Sequence, residues 1–145
     1  MSWNQTLLKL LAIIILTTIY VWWFDKTNLF SAVLNKPLLW LAILFIYSVL
    51  SVYPQELIFR TFFFQRYEGL FKSKALFIFI NAIVFSLAHL FFRNTLVLVL
   101  TLFGGILFGF TFYKTKSTLF VTIEHAIYGC WLYTVGMGSI LGFPA

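Results

Sequence analysis

Residues 75–113 read ALFIFINAIVFSLAHLFFRNTLVLVLTLFGGILFGFTFY, two apolar runs parted only by Arg93 and Asn94. A helix needs about 20 mostly apolar residues to cross the hydrocarbon of a bilayer, with a range of roughly 17–25. Ala75–Phe92 and Thr95–Tyr113 both satisfy this, and the two polar residues between them leave room only for a tight turn. The stretch therefore predicts a transmembrane helical hairpin. Three more apolar stretches qualify or come close: Leu10–Phe24, Pro37–Tyr53 and Ser117–Gly136. A sixth, Gln55–Leu70, is interrupted by Glu56, Arg60, Arg66 and Glu68. It predicts a helix packed inside the bundle, starting after Pro54, a residue suited to a first helical turn. The expected fold class is all-α: one polytopic transmembrane bundle of about six membrane-embedded helices, a single integral membrane domain over 1–145.

Composition agrees with this. The 145 residues are 62% hydrophobic, 21% aromatic and 10% charged, where a soluble domain carries roughly 25% charged side chains. The net charge of +6 does not point to nucleic acid, because the bases sit at the ends of apolar runs rather than on one stripe. The lipid bilayer is the expected surrounding partner. Cys130, the single cysteine, can form neither an internal disulfide nor a metal cage and reads as a small buried hydrophobe. The N-terminal run has a basic residue, as a signal peptide has, but no A-x-A site. It ends in Trp22, Trp23 and Phe24 before Asp25 and Lys26, a boundary pattern that predicts a retained helix. With the 66–74 loop in the cytoplasm, six separate helices place Lys26, Lys36, Arg66, Lys72, Lys74, Lys114 and Lys116 inside. Arg93 and Lys9 then fall outside, as do both chain ends. Gly105-x-x-x-Gly109, next to Gly104, has the small-residue spacing of close helix packing.

Ionisable side chains at bilayer depth cost at least about 2.5–3.5 kcal/mol each and are functional candidates. Here they are Glu56, Arg60, His89, Glu124 and His125. Glu56 and Arg60, four apart, share a helical face and can form an ion pair. At 1.5 Å per residue, His89 lies about 20 Å from Ala75, His125 about 12 Å from Ser117, and Glu56 about 15 Å from Arg66. Three helices thus bring an acid and two imidazoles to a similar level. A carboxylate in an apolar pocket can act as general base, and imidazoles can orient water, move its proton or donate to an oxyanion. The same set could hydrolyse an amide without a covalent intermediate, or hold Zn²⁺ as a His₂Glu ligand set. Spacing does not separate these. Serine chemistry is disfavoured: Ser86 shares a helix with His89, but no Asp is placed to orient an imidazole.

Three segments resemble a known family. Gln55-Glu56-Leu57-Ile58-Phe59-Arg60 is similar to its E-E-x-x-x-R motif. Phe85-Ser86-Leu87-Ala88-His89 matches F-x-x-x-H, and His125-Ala126-Ile127-Tyr128-Gly129 resembles H-x-x-x-N. The family is the CPBP group (CAAX protease and bacteriocin-processing, or Abi), and the resemblance covers roughly residues 40–140. It implies a glutamate-dependent intramembrane endopeptidase without cofactor. It also implies a membrane-embedded or membrane-associated protein or peptide substrate and, by likeness to small bacterial members, a bacterial cytoplasmic membrane. By position, His89 would activate water, His125 would donate to the oxyanion, and Arg60 would pair structurally with Glu56.

Two positions depart from the pattern. Gln55 replaces the first glutamate and cannot accept a proton, and Gly129 replaces the asparagine and has no side chain. Either the chain is a non-catalytic member with an immunity or accessory role, or Glu56 is the base while Gln55 bonds water or substrate. Because adjacent helical residues point about 100° apart, the second option requires a small helix rotation. Glu124 is a further substitute base, and missing donors could come from backbone N–H groups or Asn81. The zinc-dependent membrane hydrolase is the third alternative. The catalytic candidates are Glu56, His89, His125 and Gln55, with no metal expected.

Overall fold

A computed structural model describes residues 2–143. They form helix α1 (Trp3–Phe24), the short α2 (Ser31–Asn35), α3 (Pro37–Leu70), α4 (Lys74–Leu87), α5 (Thr95–Thr115) and α6 (Thr118–Leu132). Tyr133–Met137 follows α6, and the chain kinks within it at Gly136 (φ 119°). There is no strand among the described residues. The all-α membrane bundle is confirmed: Trp3–Phe24, Pro37–Leu70, Lys74–Phe92 and Thr95–Thr115 are each long and apolar enough to cross a bilayer.

The hairpin of α4 and α5 forms as expected. Asn94 caps α5 by accepting from the Val97 N–H at 3.1 Å, and Arg93 adopts the left-handed conformation (φ 51°) that reverses the chain. Ser73 and Ser117 cap α4 and α6 in the same manner. The glycine pair explains how closely the hairpin closes. A β-carbon on Gly105 would lie 2.9 Å from the Ala82 Cα, and one on Gly109 would lie 3.3 Å from Ile78. Outward faces keep apolar side chains such as Leu8, Leu38, Phe45, Phe62 and Leu119 exposed, as suits a surface solvated by lipid tails.

One boundary differs from expectation. Pro37–Tyr53 and Gln55–Leu70 are not two helices; α3 is continuous through Pro54. Proline removes an N–H and crowds the carbonyl four residues back. Here the helix widens just before it: Tyr47–Val52 is π-helical, and Tyr53 N–H reaches five residues back to the Ser48 carbonyl. A second π segment, Leu57–Phe62, follows. Such turns relieve the clash without ending the helix and are frequent at functional sites.

Continuity of α3 also changes the topology. Along α3 and α6 the contacts run Trp40–Thr134, Ser48–Cys130, Glu56–His125 and Glu68–Lys116, so the two helices are antiparallel. Along α1 and α6 they run Trp3–Phe120, Thr6–Glu124 and Thr17–Trp131, so these are parallel. The start of α1 therefore lies with the 66–74 and 114–117 loops, not opposite them. Lys26, Lys36 and Arg93 share the other side with Phe143. The expectation that Lys26 and Lys36 join the 66–74 loop, with the N-terminus opposite, is overturned. Its cause was counting one helix as two.

Two measurements follow. In a Cys130→Ala background, an impermeant thiol reagent applied to intact cells should label Lys26→Cys, and should label Lys72→Cys only after permeabilisation. Equal labelling of both would overturn the single crossing by α3. Gly105→Leu should lower stability by about 1–3 kcal/mol through overpacking against Ala82. Gly69→Ala, with nothing within 4 Å of the added carbon, should leave the melting temperature in detergent unchanged.

Candidate active site

Helices α3 to α6 and the α1 flank border a partly open cavity of about 580 Å³. From α3 it is lined by Tyr47, Ser51 and Gln55, from α4 by Phe85 and His89, from α5 by Phe108, and from α6 by His125 and Gly129. Apolar side chains such as Ile13, Ile46 and Leu100 make up much of the remainder. Polar groups are thus concentrated in an otherwise greasy space, the usual composition of a binding site.

The two histidines converge on Phe85. Its ring centroid lies 4.8 Å from that of His89 and 5.8 Å from that of His125. His89 Nδ1 is 2.7 Å from the Phe85 carbonyl oxygen, one helical turn back. A carbonyl can only accept, so Nδ1 carries the proton and Nε2 has a free lone pair. This gives the F-x-x-x-H spacing a physical role: the phenylalanine supplies the acceptor that sets the tautomer and the ring that both imidazoles touch. His125 stacks on Phe108, with centroids 4.3 Å apart. Its Nδ1 lies 2.6 Å from Glu56 Oε1. The carboxylate accepts from Nδ1–H, which again leaves Nε2 as the unengaged ring nitrogen.

Glu56 does not line the cavity. It is fully buried behind His125, where Oε2 also lies 3.3 Å from Arg60 Nε. Arg60, likewise fully buried, donates from Nη1 to Asn81 Oδ1 at 3.1 Å. Its guanidinium sits 4.7 Å from the Phe85 ring centroid, a cation–π contact that offsets part of its desolvation. Asn81 in turn donates to the Phe59 carbonyl at 2.6 Å. Asn81 therefore holds Arg60 and does not reach the cavity. Gln55 does reach it: Nε2 donates to Ser51 Oγ at 2.9 Å, while the buried Oε1 has no hydrogen-bond partner among the described residues.

Glu124 stands apart from this group. It accepts from Thr6, Lys9 and Thr111 at 2.9–3.1 Å and ties α1 and α5 to α6. A carboxylate so engaged lies outside the cavity wall and anchors these helices to one another. Glu56 is bonded to His125 and lies against Arg60, and no group of three His, Cys, Asp or Glu side chains placed to hold a metal occurs among the described residues.

Sequence reasoning missed Tyr47, Ser51 and Phe108. The first two were detectable, since Tyr47, Ser51 and Gln55 recur every four residues and so mark one helical face. Phe108 carried no signal beyond its apolarity. Gly129 also has a neighbour that sequence did not suggest: a β-carbon there would overlap the Tyr47 hydroxyl.

Comparison with known protein families places residues 37–131 in a match to "Rce1-like: Type II CAAX prenyl endopeptidase Rce1-like". No curated protein and no solved structure matches the chain. The match runs from the start of α3 to near the end of α6, well over half the chain, and spans Gln55, Glu56, Arg60, His89 and His125. The chain belongs to the Rce1-like family of type II CAAX prenyl endopeptidases.

Proposed function

We propose that the chain hydrolyses a peptide bond in a membrane-associated protein or peptide, with His125 as general base and Glu56 acting through it. The observation that carries this is the 2.6 Å bond between Glu56 and His125 Nδ1 on the far side of a ring that lines the cavity. Accepting from Nδ1–H fixes the tautomer and stabilises the imidazolium that forms when Nε2 takes a proton. In the first step a water O–H bond breaks. Its proton goes to His125 Nε2 as the oxygen bonds to the substrate carbonyl carbon. In the second step the C–N bond breaks, and the same proton passes to the leaving nitrogen. His89 Nε2, the other acceptor at this end of the cavity, orients the attacking water. Gln55 contributes its amide to the polar surface that receives the scissile group.

This assigns the carboxylate a place different from the one expected of it. Glu56 is a positioning residue that never meets water or substrate, and the rotation that would aim it into the cavity is not needed. Membership in a protease family supports the reaction class. The apolar walls support a substrate segment drawn from the membrane. A non-catalytic member is the second reading, and Gln55 favours it, because an amide occupies the cavity wall where the family resemblance implies a glutamate.

A quenched-fluorescent farnesylated CAAX peptide, assayed with purified protein in proteoliposomes, separates the two. Glu56→Gln should lower kcat on the order of 10⁴-fold, the scale seen when a histidine loses its orienting carboxylate. His89→Ala should lower it about 10²–10⁴-fold. The first variant also leaves Arg60 buried without its counter-ion, at a cost of roughly 3–5 kcal/mol, so it is compared only where thermal shift in detergent shows a folded protein. Activity retained in a folded Glu56→Gln would sink the mechanism. Gln55→Glu should change the rate little. A gain on the 10²–10⁴-fold scale of a general base would mean that the native chain lacks its base, which is the non-catalytic reading.

A further inference from the structure

Hydrolysis of an amide in this cavity requires a donor for the oxygen that becomes negative in the tetrahedral intermediate. Neither histidine supplies one while neutral. Both use Nδ1–H elsewhere, on Glu56 and on the Phe85 carbonyl, and offer only a lone pair. Arg60 is sealed behind the wall by Asn81 and Phe85. Among the hydroxyls of the lining, Thr17 donates to Ile13, Thr101 to Val97 and Tyr128 to Thr6, all at backbone carbonyls. Ser51 Oγ accepts from Gln55 Nε2, so its own proton, like the second amide N–H of Gln55, is still free to donate. Tyr47 differs from both in that its hydroxyl makes no hydrogen bond among the described residues.

Its position also fits. The Tyr47 ring meets His125 edge-on at 6.4 Å, beside the proposed base, and rests against Phe143 at 5.0 Å. The π-helical segment of α3 begins at Tyr47. The hydroxyl lies over Gly129 so closely that any side chain at 129 would collide with it. Position 129 is one turn beyond His125 on α6, so a donor carried on that helix would project into the volume that the tyrosine, reaching across from α3, now occupies. Tyrosine at 47 thus fills the volume that glycine at 129 leaves open.

We propose that the Tyr47 hydroxyl is a catalytic oxyanion donor that does the work of the side chain missing at Gly129. The proposal rests on the peptidase reading above. In the cleavage assay Tyr47→Phe, which keeps the ring contacts, should lower kcat about 10²–10³-fold with KM little changed. Tyr47→Ala should lose the same activity, and the paired Tyr47→Ala/Gly129→Asn should regain part of it. Gly129→Asn alone should be destabilised. Unchanged kcat in Tyr47→Phe would overturn the assignment, as would failure of the paired variant to exceed Tyr47→Ala when both are folded. A second measurement does not need turnover. Binding of a farnesylated phosphonamidate peptide, whose phosphoryl oxygens mimic the oxyanion, is compared with binding of the reduced-amide peptide that lacks that oxygen. Tyr47→Phe should weaken only the phosphonamidate. If the native protein cleaves nothing, the peptidase reading fails, but these affinities still decide: equal loss for both ligands, or loss for neither, overturns the role of Tyr47.

Discussion

The bond that organises this molecule is the buried contact in which Glu56 is shared between His125 and Arg60. Both charged residues are fully buried, and taking a charge out of water is strongly unfavourable unless an opposite charge lies close by. Arg60, one turn beyond Glu56 on the same helix, cancels the charge. His125 brings α6 to α3, and Asn81 brings in α4 through the guanidinium. Three helices are therefore in register because one carboxylate needs all of its partners. The 3.3 Å ion pair lacks hydrogen-bond alignment, and Arg60 Nη2 is unpartnered among the described residues. Aromatic faces, not further acceptors, complete the cation's surroundings. The arrangement resists loosening, since separating any member leaves a charge in an apolar medium.

The second buried glutamate follows the same rule to a different end. Glu124 precedes His125 in sequence, but its side chain leaves α6 in another direction and meets Lys9, Thr6 and Thr111. In a membrane, apolar contact between helices gives no hydrophobic gain over contact with lipid, so polar bonds and close packing must hold α1 in place. Glu124 provides those bonds, and Tyr128 and Trp131 add others to Thr6 and Thr17. Two adjacent residues on one helix thus serve separate needs, one holding α1 and one facing the cavity.

What could be read from sequence was whatever depends on local periodicity and the cost of burial. The α4–α5 hairpin, its Arg93–Asn94 turn and the packing of Gly105 and Gly109 all follow from such constraints. The helix break at Pro54 did not hold, because a proline clash can be relieved by widening the helix, and the choice between relief and termination depends on tertiary contacts. That one boundary then reversed the side assigned to Lys26, Lys36 and the start of α1. For the site, ionisable residues at bilayer depth pointed to His89, His125, Glu56, Arg60 and Glu124, and the family resemblance to Gln55; the structure gathers all of these but Glu124 at the cavity or directly behind it. Their facing was beyond reach. Whether Gln55 or Glu56 meets the cavity turns on about 100° of helix rotation, and two π-helical segments set that rotation. Tyr47 went unnoticed because an aromatic residue in an apolar run gives no sign of where its hydroxyl ends.

The exchange of facing between Gln55 and Glu56 also bears on the electrostatics of the proposed reaction. A carboxylate in the cavity wall would set a full negative charge beside a carbonyl oxygen that itself becomes negative as the tetrahedral intermediate forms. In a medium of low dielectric constant that repulsion is large. With the acid behind His125 and Arg60 against it, the proposed base that meets water is an imidazole, which would gain positive charge as the oxyanion becomes negative. Attraction then grows along the reaction coordinate, and the surroundings need no reorganisation to supply it. Glutamine at 55 keeps a polar residue in the wall without adding charge. On these grounds the proposed reaction does not depend on the family's E-E pattern, provided that a neutral donor such as the Tyr47 hydroxyl completes the site.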